Sequence, residues 1–106
     1  MTDAELIEGM RRHDSRAVEA LYRLCRQGVF SLVQQNSGSR DDAKDVLQDA
    51  IVAAYMQLSQ DGFVLTSALN TYIQGIARRL WLKHLDRYKK RYKPESTLRS
   101  NRDNPS

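Results

Sequence analysis

Cations and aromatic rings interleave near the end of the chain. Arg78, Arg79, Lys83, Arg87, Lys89, Lys90, Arg91 and Lys93 are opposed only by Asp86, and Trp81, Tyr88 and Tyr92 fall among them. Cationic groups neutralise phosphates and flat rings stack on bases, so this mixture suits a surface for single-stranded nucleic acid. A plainer account is open for the same residues: cations complement the negative end of a helix dipole, and Trp81 and Tyr88 border a core. The density of charge favours nucleic acid for the basic run; for the aromatics both accounts stand.

A second group has the opposite sign. At about 100° per residue, Asp41, Asp45, Gln48 and Asp49 gather around Val52 and Met56 on one side of a helix, with Ala43, Val46, Leu47, Ala50, Ile51, Ala54 and Leu58 on the other. The second set is a core face. The first could be a solvated charged face, but such a face has no physical need for Val52 and Met56. A basic or amphipathic partner helix would match it.

Reaction chemistry is harder to find. His13 and His84 have no Cys, His or carboxylate at a metal-like spacing, so no metal site is expected. No glycine loop cradles phosphate, and no nucleophile has a visible base and orienter, so neither a cofactor nor an enzymatic activity is expected. Cys25 lies alone in an apolar run, reads as buried filler and fits a reducing cytoplasm. The acidic start Met1-Thr2-Asp3-Ala4-Glu5 and the lack of a long apolar run predict neither export nor membrane insertion.

The elements that position these groups follow from periodicity and punctuation. The chain has 106 residues, a formal charge of +4 and two prolines, at 94 and 105. That size supports one domain, and the proline-free stretch supports helices throughout. Leu6, Ile7 and Met10 predict a short helix in the first dozen residues, with Thr2-Asp3 as its cap. Val18, Leu21, Tyr22, Cys25, Val29, Leu32 and Val33 predict a helix from Arg16 to about Asn36. Gly38 suits the left-handed position after it, and Ser39 or Asp41 can cap the next helix, which runs to about Gln60. Phe63-Val64-Leu65-Thr66 reads as a loop, with Thr66 and Ser67 as capping candidates. A last helix from about Ala68 to Tyr92 carries Leu69, Ile73, Ile76, Ala77 and Leu80 on one face, and Pro94 stops it. The expected fold is all-α: a small bundle of three long helices plus a short N-terminal helix over residues 1–93. Residues 94–106, with the polar tail Glu95 to Ser106, are expected to be a disordered linker.

Two motifs resemble one family. The run Ser39-Arg40-Asp41-Asp42-Ala43-Lys44-Asp45-Val46-Leu47-Gln48-Asp49-Ala50-Ile51, followed by Ala54-Tyr55, is similar to the region 2 signature of sigma factors of the extracytoplasmic-function (ECF) type, in the sigma-70 family. Ala68-Leu69-Asn70-Thr71-Tyr72-Ile73-Gln74-Gly75-Ile76-Ala77-Arg78-Arg79-Leu80 resembles its second motif. Ala20-Leu21-Tyr22 and Val29-Phe30 match upstream positions. Departures are Lys44 for an acid, Asp49 for a longer acid, Tyr72 for Trp and Arg79 for Asn.

The resemblance implies a sigma region 2 domain that binds core RNA polymerase and recognises and melts the promoter −10 element. Asp41, Asp45, Gln48, Asp49, Val52 and Met56 would dock on the clamp helices of the largest polymerase subunit. The loop Gln60 to Thr66 would capture a flipped base of the non-template single strand. Phe63, Asn70, Thr71 and Gln74 would contact bases, and Arg78, Arg79, Lys83 and Arg87 phosphates. An anti-sigma factor is a further candidate partner, and a σ4 domain is expected to follow in a complete factor but is absent from this chain. Two alternatives stay open: a stand-alone sigma-like helical interaction module without promoter recognition, and an unrelated helix-turn-helix binder of duplex DNA, against which the long final helix argues.

Overall fold

Thr2, Asp14 and Ser39 each hold the chain extended and start a helix. In this computed structural model, which describes residues 1–60 and 62–92 with side chains as far as 88, four helices follow one another. They are α1 (Asp3–Arg11), α2 (Ser15–Gln35), α3 (Arg40–Leu58) and α4 (Leu69–Tyr92). The expected boundary at 93, the linker 94–106 and the side chains of Lys89, Lys90, Arg91 and Tyr92 lie outside the described residues.

Two of the starts are capping boxes. Thr2 Oγ1 accepts from the Glu5 amide at 3.1 Å while Glu5 Oε1 accepts from the Thr2 amide at 2.7 Å. Ser39 and Asp42 repeat this at 3.0 and 2.9 Å. Each pair satisfies amides that a helix start leaves without partners. The donated backbone N–H holds the Glu5 and Asp42 carboxyls below their ordinary range. Asp14 caps α2 through the Arg16 amide and pairs with its guanidinium at 3.3 Å, which lowers its carboxyl too.

The first two helices end alike. The Gly9 carbonyl accepts from the Asp14 amide, and the Val33 carbonyl from the Gly38 amide, both at 2.8 Å. These are the six-to-one bonds of Schellman endings. The left-handed residues are His13 (φ 61°) and Ser37 (φ 73°), so the position expected for Gly38 is taken by Ser37. Gly38 is needed for a different reason. A Cβ there would collide with Val33 Cγ1 and lie 2.7 Å from the Trp81 ring. Only a residue without a side chain lets α4 press this closely on the corner.

The core lies among all four helices, with α2 and α3 each packed against the other three. All seven residues read as the inner face of α3 are buried. Leu69, Ile73, Ile76 and Ala77 are buried on α4, Leu80 is partly buried, and Trp81 joins the core at 3% exposure. Cys25 is fully buried, and desolvation pushes its thiol up to about 11. Among the described residues no helix is long and apolar enough to cross a membrane.

The expected caps of α4 are not used. Its first amide, Leu69 N–H, donates 2.9 Å to Asp3 Oδ2 at the start of α1, while Ser67 Oγ donates to the Ala68 carbonyl. A carboxylate distant in sequence thus does the work of the local hydroxyls.

Candidate functional site

Because the core set of α3 occupies one side, the residues 180° away must face outward. Asp41, Asp45, Gln48, Asp49, Val52 and Met56 are all exposed. On an ideal helix they fall within an arc of about 100° and span about 22 Å. Val52 and Met56 are 50% and 64% exposed. Val52 also borders a groove of about 670 Å³ whose walls include Met10, Val18, Tyr22, Ile51 and Tyr55. The strip therefore presents apolar side chains within a carboxylate rim, beside a cleft able to receive more apolar surface.

The eight residues expected to meet the nucleic acid separate into three groups and Phe63. Arg79, Lys83 and Arg87 are exposed and four residues apart, forming a cationic ladder that drifts slowly round α4. Arg78 lies about 100° from Arg79, on the side of the exposed Thr71 seven residues earlier. Asn70 and Gln74 are partly buried and engaged inward. Gln74 Nε2 donates to Asn70 Oδ1 and to the Cys25 carbonyl, both at 3.0 Å. The glutamine amide lies over Gly28 of α2, where a Cβ would come 2.5 Å from Nε2. Those amides join α4 to α2.

Phe63 belongs to neither helix. It is partly buried and packs on Tyr72, ring centroids 5.9 Å apart. Tyr72 precedes Arg79 by seven residues, so the aromatic pair stands at the head of the cationic ladder. Val64, 75% exposed, is the apolar side chain the loop offers to solvent. Gly62 takes φ +80° in open space at the start of this segment.

Of the α4 aromatics left with two accounts, Trp81 takes the core one. Trp81 is a core residue whose Nε1–H donates 2.9 Å to the Asn36 carbonyl and whose ring stacks on His84 at 5.0 Å. Tyr88 is 56% exposed. No group of three or more potential metal ligands occurs among the described residues. His13 instead meets Tyr55, whose hydroxyl lies 2.6 Å from Nδ1.

No family model, curated protein or solved structure matches this chain.

No role was expected for Tyr72 or Val64, and for Asp3 only a share in capping α1. A tyrosine seven residues before an arginine on one helix face was the available signal for the first. Nothing local marks Val64 as outward and Phe63 as inward, because the loop lacks a period. Asp3 acts across the bundle, where spacing carries no information.

Proposed function

We propose that this chain is a region 2 module of the ECF sigma type, which docks on core RNA polymerase and binds the melted non-template strand of the promoter −10 element in the cytoplasm. The observation that carries this reading is the pairing of surfaces: an acidic strip with exposed Val52 and Met56 on α3, and a cationic ladder headed by an aromatic pair on α4. Each surface overlaps one of the two motifs that resemble the family: Asp41, Asp45, Gln48 and Asp49 lie in the first, and Tyr72 and Arg79 in the second. A carboxylate-rimmed apolar strip suits basic clamp helices. Stacking by Phe63, Tyr72 or both, with phosphate neutralisation by Arg79, Lys83 and Arg87, suits a single strand.

The test has two arms. The domain is expected to co-purify with core polymerase, and D45K/D49K to abolish this while the helical spectrum is kept; retained binding sinks the docking assignment. A −10-like single strand is expected to bind better than a scrambled one, with Phe63→Ala reducing discrimination and Lys83→Ala weakening both. Equal binding of the two strands removes the base-reading step.

One observation favours the second reading, a helical interaction module without promoter recognition. The Gln74 Nε2 donor and the Asn70 Oδ1 acceptor, both on residues assigned to bases, are engaged with each other, and Nε2 also with the Cys25 carbonyl. In that case the polymerase arm succeeds and the strand arm fails.

A further inference from the structure

A second groove opens on the other flank of α3. Tyr22, Phe30 and Leu47 supply its apolar surface, and Arg23, Arg26 and Lys44 are exposed around a volume of about 340 Å³. Arg40 adds a fourth cation: its guanidinium lies 5.5 Å from the centre of the Phe30 ring, and that of Arg26 lies 5.1 Å from the same centre. None of these four cations forms an ion pair among the described residues. The nearest acids by helix position are Glu19, one turn before Arg23 on α2, and Asp41, one turn before Lys44 on α3; neither forms an ion pair with these cations among the described residues, and Asp42 is engaged by the Ser39 cap.

The ring holds two like charges close together, and Arg40 sits at the first turn of α3, where the helix dipole is already positive. An anion between these groups would relieve both conflicts. The apolar surface narrows the class of ligand. A phosphate backbone brings charge without aliphatic surface, whereas Tyr22, Phe30 and Leu47 call for an apolar side chain beside the charges.

We propose that the groove between α2 and α3 is a docking site for an acidic amphipathic helical segment of a partner protein. One large apolar side chain enters between Phe30 and Leu47, and flanking carboxylates meet Arg26, Arg40, Arg23 and Lys44. The groove meets the acidic strip at Gln48, which lines its edge, but its cations lie outside both that strip and the cationic ladder, and the proposal stands whether or not the polymerase reading does.

The probe is a synthetic helical peptide of about fourteen residues, leucine and phenylalanine on one face and glutamate on the other, followed by fluorescence anisotropy. The full chain is expected to bind it in a salt-sensitive manner and to ignore the version with glutamine for glutamate. R26E/K44E is expected to weaken binding at least about tenfold, and R26K/K44R to restore most of it. Arg23→Glu, at another exposed rim position, provides an independent variant should the double one fail to fold. No binding of the glutamate peptide, or equal binding by the charge-reversed variants, overturns the proposal. So does full competition by a single-stranded oligonucleotide, which would assign the groove to nucleic acid instead.

Discussion

Residues 36–39 and residues 59–68 both turn the chain from one long helix to the next, and they do so by opposite means. At the first corner the Gly38 amide reaches back to Val33, Ser39 and Asp42 cap each other, and Trp81 donates to the Asn36 carbonyl. Every part is held by something else. In the second, Arg11 Nε donates 2.9 Å to the Leu58 carbonyl and Phe63 N–H reaches the Gln60 carbonyl, but Val64, Leu65 and Thr66 make no hydrogen bond among the described residues. The corner spends its polar groups on the fold, while the longer connection leaves backbone donors and acceptors for a ligand.

The contrast can be broken most directly at Trp81. Trp81→Ala removes a buried ring and leaves the Asn36 carbonyl without its donor, with an expected loss of about 3–5 kcal/mol in urea unfolding. Gly38→Ala forces a methyl against Val33 and the Trp81 ring, and overpacking of this kind is expected to cost about 1–3 kcal/mol. In the open connection Gly62→Ala meets no neighbour. Its only expected cost is the left-handed backbone, about 1 kcal/mol, with the midpoint of thermal unfolding as readout. Equal losses at Gly38 and Gly62 would erase the distinction between the two joints.

The smallest effect concerns the cap. The Asp42 carboxyl is held below its ordinary 3.8 by the Ser39 backbone N–H. A depressed acid contributes stability above its unfolded value and loses it as pH falls through the folded one. Asp42→Asn is therefore expected to unfold more easily than wild type near neutrality and to converge with it as the pH falls below the ordinary carboxyl value of 3.8. A constant gap across the acid range would mean that the charge contributes nothing at this corner.

Much of this was legible in the amino-acid order, and the reason is periodicity. The seven inner residues of α3 recur at helical spacing, and because one face is core the acidic strip must be exposed. Trp81 was not decidable that way: a ring among cations looks the same whether it stacks on a base or closes a core, and only the approach of α4 to Gly38 separates the cases. Gly38 invited the usual association of glycine with a left-handed helix end. The bundle uses its missing Cβ for packing and lets Ser37 adopt the positive φ. Asn70 and Gln74 were read as outward polar residues, but Gly28 opens a place for the glutamine amide on a facing helix, which a single-helix wheel does not reveal.

The bond from Leu69 N–H to Asp3 joins residues 66 positions apart. That bond can form only once α1 has docked beside the first turn of α4, and a closure of this length is expected to come late in folding. Losing the Asp3 carboxylate would leave the rate of folding almost unchanged and quicken the rate of unfolding. The lifetime of the native bundle, more than its speed of assembly, then depends on a side chain at the far end of the polypeptide.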